Sequence, residues 1–185
     1  MKKIIVLTAL LCAGVMAGTL KDSRDGKTYK TVKIGNQTWM AENLNYKTGE
    51  SMCYGNKESN CKKYGRLYTW KTAKQACPSG WHLPSEEEFK SLLATVGASE
   101  AEYSRNLRVR SWKHGADKFG FSALPAGSYH SNIEEFSYLG GSTSFWSSTE
   151  GSSGSSAYFL SFDDSSADAY DEDKDFGYSV RCLKD

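Results

Sequence analysis

The stretch 76-ACPSGWHLPSEEEF-89 sets a cysteine, a histidine and a run of carboxylates side by side, and its reading decides between an active site and a structural junction. Ser85 and Glu88 have the S-x-x-E spacing of a capping box, and Glu86 and Glu87 fall in the first helical turn, where the positive end of the helix dipole favours carboxylates. The acidic run therefore starts a helix. That helix continues as EEEFKSLLATVG, with Phe89, Leu92, Leu93 and Val96 on one apolar face and Gly97 placed to end it. Pro78 and Gly80 turn the chain ahead of the cap. A second helix is predicted just before Cys77 in 67-LYTWKTAKQAC-77, with Tyr68, Ala73 and Ala76 inward. His82, between Trp81 and Leu83, has only His114 and His130 as companions, neither at metal-ligand spacing. A lone histidine of this kind is more often packed and hydrogen-bonded than catalytic.

The chain ends set the context. Lys2 and Lys3 precede the apolar run IIVLTALLCAGVMA, too short to span a bilayer as a helix and closed by the small residues Val15 and Ala17. Residues 1–17 read as a signal peptide and residues 18–185 as one domain, with no membrane span once the signal is removed. Lipidation at Cys12 is the competing reading, weakened by bulky Leu11 before it. Export places the protein in the periplasm, at the cell surface or outside the cell, where thiols end as disulfides. Of the five cysteines, Cys53, Cys61, Cys77 and Cys182 follow the cleavage point. Cys53 and Cys61 bracket the polar turn YGNKESN and are expected to pair, which leaves Cys77 with Cys182. A bridged Cys77 has no thiolate and cannot act as a nucleophile.

Elsewhere the chain is rich in short strands. TYKTVKIGNQTWMAENL alternates about Gly35 and Asn36 and predicts a hairpin, with Asp25 and Gly26 marking a turn before it. Residues 121–124, 158–162 and 179–183 are later strand candidates between polar, glycine-rich loops. With 185 residues, 39% hydrophobic, and a formal charge of +1, the composition suits one packed domain and offers no basic surface for nucleic acid. The order of elements suggests an α+β domain: an N-terminal hairpin, two helices, a long loop region, antiparallel strands and two disulfides.

Six segments, DGKTYKTVKIGNQTWMAENL, GRLYTW, ACPSGWHLPSEEEF, GFSALPAG, FWSSTE and GYSVRC, resemble in matching order the Fibrobacter succinogenes major paralogous domain. That family is similar to the C-type lectin-like fold, so the resemblance implies that fold, with its chain ends together and a long ligand-carrying loop region. It does not imply sugar binding. The Glu-Pro-Asn, Gln-Pro-Asp and Trp-Asn-Asp motifs of true C-type lectins are absent, and Trp146, Ser147 and Ser148 stand where the last would fall. Related formylglycine-generating enzymes work through a pair of reactive cysteines, and here none is left free.

Two constellations remain as candidate sites. Asp171, Asp173 and Asp175 alternate as in a calcium loop, although Gly177 is one residue late and Cys182 stands where the chelating Glu belongs. A solvated acidic loop is the plainer reading. Trp39, Trp70, Trp81 and Trp146 are expected in the core. Trp112, set among charges in RVRSWKHGADKFG, forms with Tyr129 and Tyr138 a candidate exposed platform, against the alternative of loop-anchoring packing. The expected function is an exported, non-catalytic binding module for polysaccharide or another envelope component, using the loop region between about Trp112 and Asp175. The alternatives are a structural or protein-interaction domain of the envelope and, third, an acid–base hydrolase built on His82 or His130.

Overall fold

A computed structural model describes residues 17–185. The signal-peptide reading and Cys12 therefore lie outside the described residues, apart from Ala17.

The Gly35–Asn36 turn forms as the sequence predicts. It joins β2 (Thr28–Ile34) to β3 (Gln37–Met40), and Gly35 takes the left-handed backbone, φ 58°, that this turn requires. β1 (Ala17–Lys21) pairs along β2 from across the Asp25–Gly26 turn, where the Asp25 carboxylate accepts from the Lys27 amide at 3.0 Å. Burial alternates along β2, with Tyr29, Val32 and Ile34 inward.

Four helices follow rather than two: α1 (Glu58–Tyr64), α2 (Trp70–Ala73), α3 (Glu86–Val96) and α4 (Glu100–Leu107). α3 is the helix read from the acidic run. Ser85 accepts from the Glu88 amide while the Glu88 carboxylate accepts from the Ser85 amide, and Phe89, Leu92, Leu93 and Val96 are buried. The predicted helix before Cys77 is only one turn, because Leu67 and Tyr68 belong to β5 (Leu67–Tyr68), which pairs with β4 (Ser51–Met52). The segment read as a turn between Cys53 and Cys61 holds a 3-10 turn at Tyr54–Asn56 and the first turn of α1.

Further along run β6 (Trp81–His82), β7 (Ser128–His130), β8 (Glu135–Ser137), β9 (Thr143–Glu150), β10 (Ser156–Phe162), β11 (Ala167–Asp173) and β12 (Leu183–Lys184). One sheet has the order β1-β2-β3-β12-β6 and another β11-β10-β9, while β4–β5 and β7–β8 form two-stranded pairs; all strand pairings are antiparallel. Residues 121–124 do not form a strand: Ala123 makes a single bridge to Arg108. Of residues 179–183, only Leu183 belongs to a strand, with Ser179 bridging Phe145.

The core has two parts. α3 lays its apolar face on Val32, Ile34, Trp39, Phe121, Phe145 and Phe162, with the Trp39 and Phe89 rings stacked at 5.3 Å. Each such side chain contributes about 1.5–3 kcal/mol by leaving water. The other part gathers Met40, Leu44, Tyr68, Trp70, Trp146 and Tyr178 around Cys182. Trp39, Trp70 and Trp146 are buried as expected, while Trp81 is half-buried. Both disulfides are present with the expected pairing, Cys53–Cys61 and Cys77–Cys182. The second, with a sequence separation of 105, ties the turn after α2 to the approach to β12.

Candidate functional site

Two fully buried cations organise one face of the molecule. Arg181, 0% exposed, donates from Nε to Asn43 Oδ1 at 2.6 Å, from Nη1 to the carbonyls of Met40 and Phe121, and from Nη2 to the Ser122 carbonyl at 2.9 Å. Its guanidinium also lies 4.7 Å from the Phe121 ring centroid. Burial pulls its pKa down to about 9, still protonated at neutral pH, with Asp117 and Glu42 acting against the shift. Asn43 passes the organisation on: its Nδ2 donates to the Tyr64 carbonyl at 2.7 Å, at the end of α1. There Gly65 turns the chain at φ 78°, so close to Asn43 that a Cβ would stand 2.6 Å from that residue's Cβ.

Arg108, 1% exposed, donates from Nε to the Ser104 carbonyl and from Nη2 to the Asp164 carbonyl at 3.1 Å. Its Nη1 is buried without a partner among the described residues. The guanidinium carbon lies 4.9 Å from the centre of the Trp112 ring. This corrects the reading of Trp112 as an exposed platform, since the indole is 5% exposed and packed into the core. Charged neighbours in the sequence do not make the position a surface one, because Arg108 is itself buried and stacks on the ring.

Trp112 nonetheless contributes to the wall of a cleft of about 560 Å³. Lys63 and Tyr64 from the end of α1, Ser111–Lys113, Leu124–Pro125, Gly140–Gly141 and Asp164 complete the lining. A second cleft of about 250 Å³ shares Lys63, Tyr64 and Leu124 with it and adds Lys62, Asn43 and Glu42, so the two form adjoining lobes of one groove. Lys113 Nζ pairs with Asp164 Oδ2 at 2.6 Å, and the Lys113 ammonium holds the Asp164 carboxyl below the usual carboxylate range. Lys63 Nζ lies 4.8 Å over the Tyr64 ring.

The other candidate residues fall elsewhere. Tyr129 is half-buried and packs on Phe136 at 4.9 Å between ring centroids. Tyr138 is 65% exposed and holds a left-handed backbone, φ 64°, with its carbonyl accepting from the Gly141 and Ser142 amides. Trp112, Tyr129 and Tyr138 thus do not form one platform. Asp171 and Asp173 lie in β11, not in a loop, because that stretch pairs along its whole length with β10. The Asp171 carboxylate accepts from the Ser152 amide and hydroxyl and from the Ser156 hydroxyl, while Asp173 accepts from the Asp175 amide at 2.9 Å. The three carboxylates do not converge on a common point. Among the described residues the group with ligand spacing is Cys53, Glu58 and Cys61, whose two sulfurs are bonded to each other and offer no thiolate.

His82 is held at both ring nitrogens, by Asp185 at 2.6 Å from Nδ1 and by Glu88 at 3.0 Å from Nε2. Burial pulls its pKa down, but hydrogen bonds to Asp185 and Glu88 outweigh this and raise it above the ordinary value. His130 bonds Ser128 at 3.1 Å and packs edge-on against Phe176. Lys63 and Tyr64, outside the loop region between Trp112 and Asp175, are the groove residues that sequence reasoning missed. The available signal for them was the KKYG run closing α1, which only the fold brings to that loop region.

The family model described as the Fibrobacter succinogenes major domain matches residues 32–184. No curated protein and no solved structure matches the chain.

Proposed function

We propose, for a chain that belongs to the Fibrobacter succinogenes major domain family, the role of an exported, non-catalytic binding module that takes polysaccharide or another envelope component in the groove beside Trp112. The observation that carries this reading is the position and lining of the cleft beside Trp112. It lies where loops after α4 meet the end of α1, on a frame pinned by two disulfides, and mixes a phenol, two ammonium groups and a carboxylate. Export is supported by those disulfides, which persist in oxidising compartments. The C-type lectin-like fold is part of the proposal. It draws support from β12 lying beside β3, which brings both ends of the described residues, β1 and β12, into one sheet.

A non-catalytic role fits the chemistry of the groups present. Asp164, held low by Lys113, is a weak base near neutral pH, and both nitrogens of His82 are already engaged by carboxylates. Gly141 offers the test. Its φ is ordinary, and a Cβ there would meet nothing nearer than the Tyr138 carbonyl at 3.6 Å, so Gly141→Phe fills the cleft without straining the backbone. The wild-type chain should be retained by members of a broad glycan and cell-wall panel, and Gly141→Phe, equally stable, should not. Equal retention of both would remove the groove from the reading.

The second reading, a protein-interaction domain of the envelope, rests on Ile133, Tyr138 and Leu139, which are 62%, 65% and 38% exposed around the β7–β8 hairpin. It predicts a partner recovered by crosslinking and lost on Ile133→Asp, with no glycan retained.

A further inference from the structure

Resting on the groove reading, we propose that the ligand is an acidic polysaccharide, a chain bearing uronate carboxylates, drawn to the groove by lysines that enter no ion pair and by buried arginines behind its wall. Four lysines, Lys27, Lys62, Lys63 and Lys113, line the two lobes against two carboxylates, Glu42 and Asp164. Lys27 is paired with Asp25 and Lys113 with Asp164. Lys62 and Lys63 enter no ion pair among the described residues. The Glu42 carboxylate is turned to the Lys30 amide, from which it accepts at 2.7 Å. With Asp25 counted, the rim carries four ammonium groups against three carboxylates, a net charge of +1, with Lys62 and Lys63 the two that no ion pair holds.

An independent observation lies beneath the rim. Arg181 and Arg108 are both buried, and every hydrogen-bond acceptor they meet is neutral: backbone carbonyls and the Asn43 amide oxygen. The Arg108 Nη1 has no partner at all among the described residues. These two charges sit one residue behind the groove wall, Arg181 through Asn43 in the smaller lobe and Arg108 through Asp164 in the larger. Charges with low-dielectric surroundings are poorly screened, so their field reaches into a concave site and raises the local concentration of anions. Asp117 and Glu42 act on Arg181, and Asp163 and Asp164 on Arg108, only at a distance; a buried guanidinium with no carboxylate hydrogen-bonded to it is costly to the fold, and an anionic ligand overhead would offset part of that cost. The adjoining lobes suit an extended chain.

The test is affinity measurement of the whole chain against a defined polyuronate oligomer, a neutral glucan oligomer of equal length and single-stranded DNA. The polyuronate should bind more tightly than the glucan, and tightening should reverse as salt shortens the screening length from about 10 Å at 0.1 M to about 3 Å at 1 M. Lys63→Gln should weaken polyuronate binding by at least about fivefold. Lys33→Gln, at an exposed position of β2 that lines neither lobe, should leave it unchanged. If the glucan binds as well as the polyuronate, the acidic-ligand inference falls while the groove reading stands. If neither sugar binds, both fall. DNA binding as tight as polyuronate binding would reduce the effect to unspecific attraction of polyanions and overturn the inference.

Discussion

Arg181 is the residue on which the groove most depends, because it joins Met40, Phe121 and Ser122 to Asn43 and through Asn43 to the end of α1. Arg181→Met keeps much of the volume but leaves buried acceptors unpaired. It should destabilise the domain by about 2–4 kcal/mol, the cost of two or three orphaned carbonyls less the relief of a buried charge. Urea unfolding measures this, and Arg181→Lys should fail to rescue it because one ammonium cannot reach acceptors spread across the guanidinium fork. Its position inside GYSVRC gave the sequence no hint of burial, since arginine is mostly a surface residue. His82 makes a different prediction. Its folded pKa lies above the unfolded value of about 6.5, so its ion pairs contribute stability below that pH and lose it as pH rises through the folded value. Glu88 acts in the opposite sense: burial pushes its pKa up, but bonds from Ser85 and His82 outweigh this and lower it, so its contribution is lost as pH falls. The His82 side chain is 39% exposed, so solvent screening keeps the effect below about 1 kcal/mol. Thermal midpoints should decline slightly from pH 6 to 9 in the wild type and stay flat over that range in His82→Gln.

α3 shows how far local signals carry. Its start, its buried face and its capping box were all legible, because each is fixed by neighbours within one or two turns. Ser85→Ala removes one side of the box and should cost about 1 kcal/mol, read as a lower denaturant midpoint with unchanged slope. Glu88→Ala should cost more, since the same carboxylate holds both the Ser85 amide and His82. α4 was not legible. EAEYSRNL carries a single leucine, and the helix forms because Ser99 caps it and Ser104, Asn106 and Leu107 are buried against neighbouring chain. Ser104 there donates to the Asp163 carbonyl, and Asn106 to the Val96 carbonyl. β11 was misread for the converse reason: its aspartates look like a loop, yet pairing with β10 and the hydroxyls of Ser152 and Ser156 accommodate them in an edge strand.

Across the molecule, the two disulfides and the mixed α+β plan followed from cysteine positions and turn chemistry, while the groove did not, because it is assembled from segments between residues 27 and 164 that only the fold brings together. The Cys77–Cys182 bridge closes the longest loop and should contribute about 4–5 kcal/mol, so Cys77→Ser/Cys182→Ser should unfold at far lower denaturant than the wild type. Loss of the short Cys53–Cys61 bridge should cost less, about 2–3 kcal/mol, but it anchors α1 and so should loosen the Lys63–Tyr64 wall of the groove. The measurement that goes to the centre of the functional proposal is an amide NMR titration of the whole chain with a retained glycan. Shifts concentrated at Lys63–Tyr64, Ser111–Lys113, Leu124, Gly140–Gly141 and Asp164 are the predicted result; shifts confined to the Ile133–Leu139 hairpin, or none at any concentration, would contradict a ligand site in the groove.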